Sequence, residues 1–164
     1  GALSTQSAIV RAMPNTPAAV QRGITVACAN KKVSLKQHKL VDSLLRATGE
    51  VKWVNNERLL DAVTAVSGGG PAYVFLLAEC LKQAGIEVGL DPDLSERLAR
   101  LTISGSGELL HRSTESTSSL RKNVTSPGGT TAEALKILMG KDGWQPIITK
   151  AILAATERSK ELAN

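Results

Sequence analysis

Aromatic side chains are nearly missing from this chain: Trp53, Tyr73, Phe75 and Trp144 are the only four among 164 residues. Bases would have little to stack on, so the formal net charge of +5 does not mark a nucleic-acid binder. Lys and Arg are interspersed with Asp and Glu, which is the pattern of a solvated surface. The core must come instead from Leu, Ile, Val and Ala, as in helix bundles. Cysteine is scarce as well. Cys28 and Cys80 stand in apolar contexts without a CxxC framework, which predicts buried free thiols, a reducing compartment and a cytoplasmic protein. His38 and His111 lie far apart, and no metal site is expected. No apolar run is expected to reach the length of a membrane span, and residues 1–8 carry neither a basic region nor an apolar signal core.

What is present suits one domain, or one helical domain with a smaller appendage: 42% of residues are hydrophobic and 21% charged. The first third mixes short β-like runs with one helix. Ile9–Ala12, Ile24–Ala27 and Val51–Val54 read as strands, each bounded by turn residues. Between the last two, Ser34 caps a helix whose Leu40, Val41, Leu44 and Leu45 share a face, with Gly49 as its stop. Strand, strand, helix, strand resembles the last part of an α/β sheet and leaves sheet edge unpaired.

From Glu57 onward the periodicity becomes helical. Leu59, Leu60, Val63 and Val66 form one helix, which stops at Ser67-Gly68-Gly69-Gly70. Pro71 opens the next, running through Tyr73, Leu76, Leu77, Cys80, Leu81 and Ala84 and apolar on most of its circumference; such a helix is buried in a core or against a partner subunit. Asp91-Pro92 caps a third that reaches Leu109-Leu110, with Gly105 and Gly107 inside it as sites of close helix approach. Ser113–Ser119 is a polar turn, Leu120–Val124 a short helical piece, and Thr131–Met139 and Trp144–Leu162 are the last two helices.

Three segments are candidates for chemistry. In Asn123-Val124-Thr125-Ser126-Pro127-Gly128-Gly129-Thr130-Thr131, glycines before a helix start can turn backbone N–H groups toward an anion such as a small carboxylate. The same residues also make an ordinary Pro-Gly-Gly turn with Ser126 or Thr130 capping the helix. Asp61-Ala62-Val63-Thr64 running into Ser67-Gly68-Gly69-Gly70-Pro71-Ala72-Tyr73 permits either a sharp turn or close backbone approach. Met13-Pro14-Asn15-Thr16-Pro17 ends a strand, where open α/β sheets place ligands, and is equally a rigid loop.

In this order the three motifs resemble the pyrroline-5-carboxylate reductase family, from about Ile9 to the end of the chain. The resemblance implies a mainly α fold: a helical dimerisation domain like the carboxyl-terminal domain of 6-phosphogluconate dehydrogenase, preceded by a short α/β remnant of a Rossmann sheet. Residues 1–55 would be the terminal strands and helix of the dinucleotide-binding domain, and 56–164 the dimerisation and substrate domain. The implied activity is reduction of 1-pyrroline-5-carboxylate to L-proline with NADPH or NADH, in an interleaved homodimer with the substrate between the domains. Ser126, Gly129 and Thr130 would then grip the substrate carboxylate, and Thr131 would face the ring nitrogen as the catalytic residue. Asn123 and Val124 would flank substrate and nicotinamide, Glu57 would lie near the proline site, and Met13, Pro14 and Asn15 would border the nicotinamide.

This chain departs from the family pattern at Gly69, where serine is usual. The glycine-rich phosphate fingerprint that follows the first Rossmann strand is also absent from these residues. Alone, they are expected to be inactive or nearly so. A stand-alone helical dimerisation module without catalysis is the alternative from another class. A related imine or hydroxyacid dehydrogenase would need a catalytic lysine on a buried helix face, whereas Lys82 falls on a polar side with Glu79 and Gln83.

Overall fold

A computed structural model describes residues 6–163 of the chain. Most of residues 1–8, read above for a signal segment, lie outside the described residues. The sheet has the order β1-β2-β3, with β1 (Val10–Met13) antiparallel to β2 (Gly23–Ala29) and β2 parallel to β3 (Gly49–Val54). Parallel neighbours need a crossover, and helix α1 (Leu35–Leu45) provides it. Ser34 starts α1 with a full capping box, its hydroxyl accepting from the Gln37 N–H while the Gln37 side chain accepts from the Ser34 N–H.

Gly49 does stop the helical run, but only after its last turn has tightened. α1 ends at Leu45, a 3-10 turn covers Arg46–Thr48, and Gly49 is the first residue of β3 with φ +142. It sits in register with Gly23, whose carbonyl occupies the place a Cβ on Gly49 would take. Glycine is therefore required there both by φ and by space.

The helical part consists of α2 (Leu59–Val63), α3 (Gly70–Glu87), α4 (Pro92–Arg112), α5 (Thr117–Asn123), α6 (Thr130–Leu138) and α7 (Trp144–Ala163). The expected break at Ser67–Gly70 is replaced by a π turn, Thr64–Gly68, which joins α2 to α3 in one helical run of 29 residues, Leu59–Glu87. Glycines there widen the helix by one residue and leave it intact. Joined in this way, the run is long and apolar enough to cross a membrane by length and composition alone, correcting the expectation of none. Leu60 and Ala65 are nonetheless buried against protein, and Asp61 accepts a hydrogen bond from Ser159 of α7 at 2.8 Å. Ser113–Ser119 is only partly a turn: Ser116 caps α5, accepting from the Ser119 N–H at 3.1 Å.

Two compact units emerge, one holding residues up to Ala72 together with Ala151 onward, the other Tyr73–Lys150. In the first, Val26, Cys28 and Leu60 form a buried cluster with Met13, Val54 and Val63 packed on it, so α2 covers the sheet through its apolar face. In the second, α3 and α4 meet where Gly85 faces Ser95; a Cβ on Gly85 would lie 2.9 Å from Ser95 Oγ. The close approach expected at Gly105 and Gly107 is not there, since both face open space. α3 is not buried in a core of its own chain: it carries no buried residue, Phe75 is 64% exposed, and Cys80, expected buried, is exposed there while Cys28 is buried. Among the described residues, no second layer covers that side of α3.

Candidate functional site

The Ser126–Thr131 segment is built on a type II turn. Ser126 C=O accepts the Gly129 N–H at 3.1 Å, Pro127 holds the second position and Gly128 the third with φ +70. The turn delivers the chain to Gly129, the N-cap of α6, whose carbonyl accepts from Ala132 and Glu133 N–H at 3.0 and 3.3 Å. Neither Ser126 nor Thr130 caps the helix by its side chain, which corrects the plain capping account. The consequence is a set of unspent donors. Among the described residues, the N–H groups of Thr130 and Thr131 have no protein acceptor, and the hydroxyls of Ser126, Thr130 and Thr131 make no hydrogen bond to protein. Orphan N–H groups at a helix start carry the positive end of its dipole.

The residues before the turn are held by α5. Thr125 donates its hydroxyl to the Arg121 carbonyl at 2.7 Å and its N–H to that of Lys122 at 3.0 Å. Asn123 Nδ2 donates to Glu115 Oε2 at 3.0 Å, so one end of its amide is already committed. Sequence reasoning missed Glu115, which lies in a stretch read as turn. Val124 is exposed. Arg121 and Lys122 put two cations in the last turn of α5, just ahead of the Ser126–Gly129 turn in the chain.

Met13, Pro14 and Asn15 belong to the other compact unit, at the carboxyl end of β1. Asn15 Oδ1 accepts the Ile24 N–H at 3.0 Å and its Nδ2 donates to Ser67 Oγ at 3.2 Å. Thr16–Val20, unassigned from sequence, forms a 3-10 turn with Pro17 in its first turn. Glu57 is paired with Arg11 of β1 at 3.1 Å, both exposed. Lys82 is ion-paired with Glu96 of α4 at 3.1 Å, as suits a residue on a polar helix side. Glu96 is held below the ordinary carboxylate range by its bonds to Lys82 and then Arg100.

These features define a class: a mainly α-helical domain preceded by a short α/β sheet, with exposed, unspent donors at a helix start. Residues 57–162 match the family model described as pyrroline-5-carboxylate reductase dimerisation. Pyrroline-5-carboxylate reductases from Pseudomonas aeruginosa and Synechocystis are 41% and 44% identical, each over 94% of this chain and over 56% and 57% of their own lengths. A solved pyrroline-5-carboxylate reductase from Coxiella burnetii superposes with a TM-score of 0.91 at 42% identity, over 98% of this chain and 59% of that one. The Plasmodium falciparum pyrroline carboxylate reductase with NADP bound gives 0.84 at 37% identity, over 98% and 64%. The chain belongs to the pyrroline-5-carboxylate reductase family, and it spans little more than half the length of these curated relatives.

Proposed function

We propose that the protein takes part in the reduction of 1-pyrroline-5-carboxylate to L-proline, with the Ser126–Thr131 turn holding the substrate carboxylate. The supporting observation is the group of unspent donors there: two backbone N–H groups and three hydroxyls on one short stretch at a helix start. Ser126, Gly129 and Thr130 bind the carboxylate, Asn123 and Val124 flank the ring, and Glu57 lies toward the same ligand. Met13, Pro14 and Asn15 border the nicotinamide. The loop they form is held rigidly by the Asn15 bonds, which suits a surface that orients a flat ring. Bound NADPH or NADH supplies a hydride equivalent.

Thr131 carries the remaining role. As the imine carbon gains hydride, the C=N π pair moves to nitrogen, which is held protonated or takes a proton through the Thr131 hydroxyl or a water. The domain boundary falls between residues 55 and 56, a reading supported by a family match that begins at residue 57. Residues 1–55 belong with a dinucleotide-binding domain, and 56–164 carry the substrate turn and the self-association surface. The uncovered apolar side of α3 supports pairing with a second copy as an interleaved homodimer. These residues hold no glycine-rich phosphate loop, and by themselves they reduce the imine slowly or not at all. Two free cysteines suit a cytoplasmic setting.

The test is Thr131→Val in the full-length protein. Turnover of the imine is expected to fall roughly 100-fold, with substrate KM changed far less. Unchanged turnover would remove Thr131 from the chemistry, and proline binding unaffected by Ser126→Ala together with Thr130→Val would remove the cradle.

A further inference from the structure

The Met13–Asn15 loop is fastened to the π turn at two points within one compact unit. Asn15 bridges them through its amide, accepting from Ile24 N–H and donating to Ser67 Oγ, 52 residues away in the chain. A backbone N–H can only donate, so the bond to Ile24 fixes the orientation of the amide. The Ser67 oxygen must therefore accept. One residue on, the terminal methyl of Met13 fills the space that a Cβ on Gly68 would need. Both contacts fall in the π turn closed by the bond from Gly69 N–H to Thr64 C=O at 2.8 Å, which adds one residue to the helical circuit there. A π turn has poorer geometry than the α-helix around it. Here it is stabilised by a loop from the far side of the sequence.

We propose that Ser67 is a positioning residue for hydride transfer, acting through Asn15 to hold the Met13–Asn15 loop at a fixed height on the π turn. The inference rests on the reductase reading above, in which that loop borders the nicotinamide. Ser67 itself touches neither cofactor nor imine. Its effect should lie in the rate of transfer rather than in binding, because transfer requires reacting atoms about 3–3.5 Å apart while binding tolerates a looser wall.

The experiment measures single-turnover hydride transfer, steady-state KM and melting temperature in the full-length protein. Ser67→Ala is expected to slow transfer roughly tenfold, with imine KM changed less than about twofold and melting temperature close to that of the parent. Ser67→Thr keeps the acceptor oxygen and recovers most of the rate. Combined with Asn15→Leu, Ser67→Ala adds little further loss, because both break the same link. Should Ser67→Ala fail to fold, Ser67→Cys, a weaker acceptor, reads the same quantities. Parent-like transfer in the folded variant, or additive losses in the double variant, overturns the positioning role alone. A full-length parent that cannot reduce the imine overturns the reductase reading and this inference together.

Discussion

Leu60 and Leu101 are both leucines on amphipathic helices, yet Leu60 is 1% exposed and Leu101 64% exposed. The first faces a sheet whose strands bury Val26, Ala27, Cys28 and Val51 within one chain. The second lies with Leu94 and Leu98 on a stripe of α4 that nothing in its own compact unit covers. What α4 does bury is Ser95 and Ala99, small residues that let α3 come close at Gly85. The sheet and α2 bury a small core within one chain, although α1 beside them leaves Leu40 and Leu44 exposed, whereas α4 presents a continuous leucine stripe outward, as subunits do before they pair.

That contrast can be broken most forcefully by paired substitutions. Leu60→Ala should destabilise the protein by about 3 kcal/mol, from lost burial plus a residual cavity, and the loss should not depend on protein concentration. Leu101→Ser should leave the folded chain nearly unperturbed and weaken self-association about tenfold, seen as a concentration-dependent melting temperature and a shifted sedimentation profile. Equal, concentration-independent losses from both would mean that α4 is closed within one chain after all.

A finer probe uses the hydroxyl of Ser95, which is 2% exposed and has no hydrogen-bond partner among the described residues. Leaving a polar group buried and unpaired is costly, so Ser95→Ala should raise stability by about 1 kcal/mol in chemical denaturation. A loss instead would show that the hydroxyl finds a partner once the helices are covered.

Legibility followed the same division. The capping box at Ser34 and Gln37, the Asp91-Pro92 helix start and the three strands announce themselves through nearby residues, and each forms within one or two positions of expectation. The π turn does not, because Ser67-Gly68-Gly69-Gly70 carries the residue types of a break, and the contacts that Met13 and Asn15 make on it come from residues distant in sequence. Exposure of α3 within one chain leaves the second of its two expected covers, a partner subunit, because periodicity reports which face will be covered, not whether the cover comes from the same chain. At the cradle, Gly128 and Pro127 spell out the turn, but only the hydrogen-bond pattern shows that Ser126, Thr130 and Thr131 keep their donors free.

Acid provides the smallest and most local test, since Asp42 in one region and Glu96 in the other are carboxylates held below their ordinary values. Asp42, on α1, is lowered by its bond to Arg46 and then by the Trp53 indole N–H, at 2.6 and 2.8 Å. Glu96, on α4, is lowered by Lys82 and then Arg100, at 3.1 and 3.3 Å. A carboxylate depressed in the folded state contributes stability above its unfolded value, and that contribution is lost as pH falls through the depressed one. The unfolded values are 3.8 for Asp42 and 4.5 for Glu96, so both contributions are complete at neutral pH and fade only below those values. Asp42→Asn and Glu96→Gln should each lower the melting temperature slightly at neutral pH, less than Ser95→Ala raises it, because the three charged partners, Arg46, Lys82 and Arg100, are solvated. As pH falls through the depressed values the deficits should shrink toward zero. A Glu96→Gln deficit that persists undiminished in acid would locate its cause in packing between α3 and α4 rather than in the Lys82 pair that joins them or the Arg100 pair within α4.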